Sequence, residues 1–175
     1  MAVEASLTVT RPPHAAKLYF WALQVGFQNG SIPVGAGHFG LQHHPAYPGS
    51  GAVNWGGYHR SSSLGELTGS KPKLDSALNN PNTFNYSWQP HTKYRYRIAA
   101  AGDGMWRGSI TDLSTGEETI VRDLIVKADS LSAPVVWSEV FADCDAPSTS
   151  VEWSDFSAVT ARGEYVEPSA VFVSY

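Results

Sequence analysis

LYFWALQVGF, residues 18–27, is apolar on both of its alternating faces. Tyr19, Trp21, Leu23, Val25 and Phe27 fall on one side, and Leu18, Phe20, Ala22 and Gln24 on the other. Aromatic and β-branched side chains suit a pleated surface better than a helix, so a short run covered on both sides reads as a central strand. A central strand needs neighbours, and the chain supplies them. Before it, Val3, Ala5, Leu7 and Val9 alternate with Glu4, Ser6, Thr8 and Thr10, the period of a half-buried strand that Pro12 and Pro13 stop. After it, the Asn29-Gly30 turn and Pro33 lead into a short strand over residues 38–42. Phe39 and Leu41 take one face of that strand, and His38, Gly40 and Gln42 the other.

Further along, a Pro/Gly loop (43–50) precedes a strand over 53–58, and a long polar connection (61–82) precedes strands over 85–88 and 93–101. In the last of these Tyr94, Tyr96 and Ile98 alternate with Lys93, Arg95 and Arg97. Residues 106–112 and 118–126 flank Leu113-Ser114-Thr115-Gly116, a hairpin loop with glycine at the left-handed position. Segments 135–142, 151–156, 158–162 and 171–175 bring the total to about eleven short strands at turn-punctuated spacing, with no helical period anywhere. So many strands must close or pack as two sheets. The chain is expected to be all-β, an antiparallel two-sheet β-sandwich or jelly roll, with residues 1–175 forming one domain. No internal repeat supports a propeller or trefoil.

Hydrophobic residues make up 42% and charged residues 16%, so Ser, Thr, Asn, Gln and Gly must finish much of the surface. A formal net charge of -4 without any Lys/Arg cluster excludes a nucleic-acid footprint or a polybasic membrane contact. Cys144 is the single cysteine and permits no internal disulfide; it reads as a small buried hydrophobe. Residues 1–11 lack the basic and apolar regions of a secretory signal, and no segment approaches the roughly 20 apolar residues of a membrane span. The expectation is a cytoplasmic protein, or a secreted one whose signal has been removed.

The candidate site lies in GHFGLQHHPAYPGSGAVNWGGYH, residues 37–59. His38 and Gln42 project from one strand face and suit a hydroxyl-rich ligand; otherwise they close loops at a sheet rim. His43, His44, Asn54 and His59 add polar groups, and Arg95 adds a guanidinium. Trp55, followed by glycines, is the expected exposed stacking face, while Trp21 and Trp153 are assigned to the core. The histidines lack a tight ligand spacing such as H-E-x-x-H, so neither a metal nor another cofactor is expected. There is no G-x-S-x-G, P-loop or dinucleotide fingerprint.

Glu139 stands between Trp137 and Phe141 on one strand face. A carboxylate among aromatic rings is expected to be desolvated and raised in pKa, which would fit it for proton transfer with His38. The alternative is a structural ion pair with Arg95, Arg97 or Arg107. Asp143, Asp145, Glu152 and Asp155 are available as a second carboxylate, but no pattern places a pair on one face.

The order YFWALQVGFQNG, GHFGLQ, NYSWQPHTKYRYRI, GMWRGSITDLSTGEE and WSEVFADCD resembles an uncharacterised bacterial β-sandwich domain family of unknown function. The likeness spans roughly residues 18–156. It implies a concanavalin A-like jelly roll of the lectin and glucanase type, and no established activity. The His43-His44-Pro45 loop and the Asn54-Trp55-Gly56-Gly57 strand depart from the family pattern.

Three functions remain open. The first is lectin-like binding of a carbohydrate or similar polyhydroxylated small molecule on an aromatic and His-lined concave face. The second is a small intracellular enzyme, a glycan-acting hydrolase or a cyclase or isomerase of secondary metabolism, using Glu139 and a histidine as acid and base. The third is a structural interaction domain whose aromatic face meets a second copy. The expected partner is a small-molecule or glycan ligand, and the oligomeric state is not legible. Because no ligand set is visible, EDTA should leave the melting temperature unchanged; a marked drop would reveal a structural metal.

Overall fold

The computed structural model describes residues 1–172 of the chain. Eleven strands are described: β1 Ala2–Arg11, β2 Tyr19–Asn29, β3 Ile32–His43, β4 Gly51–His59, β5 Thr83–Asn85, β6 Lys93–Gly102, β7 Met105–Asp112, β8 Glu118–Ile125, β9 Ser130–Val140, β10 Ser150–Val159 and β11 Tyr165–Val166. They form a six-stranded sheet, β11-β10-β1-β6-β7-β8, and a five-stranded sheet, β5-β4-β3-β2-β9. The strand pairings are antiparallel, and the molecule is an all-β two-sheet sandwich. Among the described residues no helix is long and apolar enough to cross a membrane.

Alternation decides which side chains meet between the sheets. Val3, Ala5, Leu7 and Val9 of β1 and Tyr94, Tyr96 and Ile98 of β6 face Trp21, Leu23, Val25 and Phe27 of β2 and Phe39 and Leu41 of β3. Trp21, Trp55 and Trp106 are the largest fully buried side chains. Such rings need gaps opposite them. A Cβ at Gly108 would come within 2.8 Å of the Trp55 ring, and one at Gly37 within 2.9 Å of Phe27.

The segments read as strands over 151–156 and 158–162 are one strand, β10, whose Asp155 takes a left-handed conformation where the pairing with β1 slips between Glu4 and Ser6. The strand placed at 85–88 is displaced to Thr83–Asn85, because its pairing with β4 begins at Asn54 and ends at Ala52. Of the candidate strand at 171–175, residues 173–175 lie outside the described part, and 171–172 are not in a strand. The polar connection 61–82 is tied along the β4 and β8 edges. Leu67 N–H donates to the Gly57 carbonyl and Ser70 N–H to that of Asp123, both at 2.8 Å, and Leu67 and Ala77 are buried.

β9 ends the five-stranded sheet, and its pairing with β2 slips between Gln24 and Gly26, where Ala133 and Pro134 stand opposite the single Val25 and Ala133 has φ +44°. Buried polar bonds also join the two sheets, and one of them lies between β6 and β3. Tyr96, fully buried on β6, accepts the Leu41 N–H of β3 at 3.0 Å. Tyr96→Phe leaves that N–H without a partner in the core and should cost about 1 to 3 kcal/mol. Urea unfolding checks this, with the midpoint falling at unchanged slope.

Candidate functional site

The outer face of the five-stranded sheet gathers the expected polar residues in register. Gln42 of β3 pairs with Phe20 of β2, and Phe20 pairs in turn with Glu139 of β9. Asn54, Gly40, Ala22 and Trp137 form the next row, and Gly56, His38 and Gln24 the one after. His38, Gln42, Asn54, Trp137 and Glu139 therefore share one face, as alternation requires of residues on matched strands.

Phe20, His38 and Trp137 converge over the small floor formed by Ala22 and Gly40. The Phe20 ring stands edge-on to Trp137 at 5.0 Å and to His38 at 5.8 Å, geometries that aromatic pairs favour. Trp137 Nε1–H donates to Gln24 Oε1 at 3.2 Å, which fixes the indole against the sheet. Phe20 is itself buried and stands between Gln42 and Glu139 in their row.

The Tyr47 hydroxyl donates to Gln42 Oε1 at 3.0 Å. With its oxygen engaged, the Gln42 carboxamide presents its two N–H donors. Tyr47 is held in turn by the 43–50 loop. Ala46 N–H donates to His44 Nδ1 at 3.1 Å, and the His44 and Tyr47 rings lie 5.5 Å apart.

Glu139 departs from the desolvated state expected of it. Its side chain is exposed because β9 is the last strand of the sheet and, among the described residues, no strand follows it. The ion pairs offered as its alternative form elsewhere: Arg95 and Arg97 both pair with Glu4, and Arg107 pairs with Asp123.

Trp55 corrects another expectation. It is fully buried, with its Nε1–H donating to the Trp106 carbonyl at 3.2 Å. As the neighbour of Asn54 on one strand it must face the opposite way, into the core, and it has no surface to stack on a ligand. Arg95 projects from β6 on the outer face of the other sheet, beside Glu4, so the whole sandwich separates it from His38. His43, adjacent to Gln42, turns inward toward Tyr19 and Trp88, beside a small cavity of about 210 Å³ edged by Pro12, Pro13 and Pro90. His59 alternates with Tyr58 and likewise leaves the outer face. Cys144, expected buried, is exposed in the loop after β9. Phe20, Gln24 and Tyr47 were not singled out from the sequence. The alternation of β2 puts the first two on the His38 face, whereas nothing local marks Tyr47.

Burial holds His38 below the usual histidine value of 6.5, against the opposing pull of Glu66. Burial and the neighbouring His44 do the same to His43. Among the described residues no group of three His, Cys, Asp or Glu side chains is placed to hold a metal. A larger apolar cleft of about 430 Å³ opens between β9 and β10, walled by Val3, Leu23, Val136 and Phe156.

No protein-family model and no curated protein matches the chain. Solved structures do. A structure of scytalido-glutamic peptidase with a peptide-based transition-state analog superposes with a TM-score of 0.50 and 13% identity, covering 94% of this chain and 76% of that one. Another, of scytalido-glutamic peptidase with a transition-state analog inhibitor, gives 0.49 and 14%, covering 95% and 77%. SCP-B, a member of the Eqolisin family of peptidases in complex with the tripeptide Ala-Ile-His, gives 0.49 and 14%, covering 94% and 75%. At such identity the likeness is one of fold. It supports the β-sandwich of the family resemblance, and none of these three is a lectin or glucanase.

A histidine kept neutral by the fold makes stability pH-dependent in one direction. Below the unfolded value near 6.5 the unfolded chain takes up protons that the folded chain does not, so stability is complete above that pH and declines as pH falls toward the depressed folded value. His38→Gln should flatten this decline, as read from melting temperatures between neutral and mildly acidic pH. An unchanged acid slope would show that His38 does not resist protonation.

Proposed function

We propose that the chain is a hydrolase that attacks an extended, amide-bonded substrate at the Gln42–Glu139 row. The observation that carries this reading is the Tyr47 hydroxyl bonded to Gln42 Oε1. It leaves an N–H donor on the same row and face as a carboxylate that has no ion-pair partner among the described residues. Two strand spacings, roughly 9.5 Å between α-carbons, separate the two residues. In this reading a water and a carbonyl bind between their ends, above the buried Phe20 that stands between them in the row.

The chemistry follows from what each group offers. Glu139 as a carboxylate removes a proton from water, and the resulting oxygen nucleophile adds to the carbonyl carbon. The Gln42 N–H donates to the oxygen on which negative charge develops, a stabilisation that counts most when the donor is held in advance. Glu139, now protonated, returns the proton to the departing nitrogen as the carbon–nitrogen bond breaks. Phe20, Trp137 and the neutral His38 supply an apolar wall for the rest of the substrate. A fold neighbour described as a glutamic peptidase carrying a peptide-based transition-state analog is in keeping with this reading. The carbohydrate reading has lost Trp55 as its stacking face and keeps only Trp137.

The test is cleavage of a peptide library followed by mass spectrometry. Glu139→Gln and Gln42→Met should each lower the rate by roughly 10² or more. The melting temperature of the Glu139 variant should stay unchanged, because that side chain is exposed. Tyr47→Phe frees the Gln42 amide to turn and should give a smaller loss. Wild-type rates in both main variants, or no cleavage by the wild type, would overturn the assignment.

A further inference from the structure

Glu66 lies outside the five strands, yet its carboxylate reaches their outer face. A backbone bridge sets Glu66 opposite Tyr58 at the end of β4. Asn82 Nδ2–H donates to Glu66 Oε2 at 2.8 Å, and Asn82 itself lies over Gly56, where a Cβ would come within 2.8 Å of its carboxamide carbon. The Asn82 oxygen accepts from Arg122, whose Nε and Nη2 also donate to the Trp55 carbonyl at 3.1 and 2.9 Å. A guanidinium only donates, so it forces the carboxamide oxygen toward itself and the nitrogen toward Glu66. Arg122 is 6% exposed. A buried cation thus fixes, through one amide, the position of a surface carboxylate.

That position is specific. Gly56 pairs with His38, whose ring stands 6.2 Å from that of the exposed Tyr58. Glu66 makes no ion pair among the described residues. The residues that β2, β3, β4, β5 and β9 project from this face include no lysine or arginine, and Arg60 lies in the turn beyond β4. The corner therefore joins a carboxylate that has no direct ion pair among the described residues, though it feels the buried Arg122 beyond Asn82, to an open phenol ring, a combination that attracts an ammonium or guanidinium.

We propose that Glu66, Tyr58 and His38 form a subsite for a lysine or arginine side chain of the substrate. This rests on the reading of the Gln42–Glu139 row as the place of attack. His38 lies four residues along β3 from Gln42, about 13 Å at the strand rise, so in an extended substrate the basic residue sits about four residues from the bond attacked.

Two decapeptide mixtures test this, identical except that one carries lysine and the other norleucine at a fixed central position. The wild type should cleave the lysine mixture about tenfold faster. Glu66→Gln should bring that ratio close to one, and Tyr58→Ser should reduce it, with melting temperatures confirming that both variants fold. Cleavage without a lysine preference, or a preference that survives Glu66→Gln, overturns the subsite and leaves the Gln42–Glu139 reading standing. If neither mixture is cleaved, tryptophan fluorescence is titrated with the lysine mixture. Binding that Glu66→Gln abolishes would keep the subsite while the hydrolytic reading falls; no binding would overturn both.

Discussion

One hydroxyl in the middle of the core fixes how the two sheets sit. Tyr96 crosses from β6 and accepts the Leu41 N–H of β3; its own proton points to the Trp21 carbonyl of β2 at 3.5 Å. Enclosure raises the phenol well above its usual pKa, so it stays a neutral donor and acceptor at any ordinary pH. A slip of one residue in β3 would turn every one of its side chains to the other face. Leu41 stands between Gly40 and Gln42, so the bond that seats Leu41 in the core also commits Gln42, and four residues back His38, to the outside.

The outer face inherits its shape from that commitment. Ala22 and Gly40 lie beneath Phe20, His38 and Trp137, and a Cβ at Gly40 would come within 1.9 Å of the Trp21 carbonyl oxygen. The rings of Phe20, His38 and Trp137 pack edge-on to one another above these small residues. Gln42 and Glu139 remain at one end of the platform and Glu66 at the other. The two ends are set by different means. A loop tyrosine orients Gln42, while a buried arginine acts through Asn82 on Glu66.

Much of this was legible in the residues alone. The strands around 18–27, 38–42, 53–58, 93–101 and the 106–126 hairpin stand where alternation and turn residues put them, because long-range packing agrees with local pattern there. Asn54 and Trp55 show where the reading overreached: adjacent residues of one strand cannot both serve one face, so choosing Asn54 already sent Trp55 to the core. The same parity separates His43 from Gln42. Arg95 was a different kind of error, since alternation tells inward from outward but not which sheet a strand joins. Tyr47, Asn82 and Arg122 carry no local signal; only the folded chain brings loop, edge and core together. Glu139 was expected to be desolvated by its aromatic neighbours along the strand, but the accessibility of a side chain also depends on whether another strand follows, and among the described residues none does.

The interruption of β9 at Ala133 and Pro134 limits what the edge of this sheet offers to another strand. An eleven-residue terminal strand with Val135, Val140 and the nearby Phe141 exposed offers unpaired amides beside sticky side chains, the ingredients of edge-to-edge self-association. Proline removes one donor, and the one extra residue bends the strand so that a flat partner meets only short stretches in register. The bulge thus shortens the flat stretch of edge that a partner strand could meet, and the exposed Glu139 lies on the longer stretch beyond it.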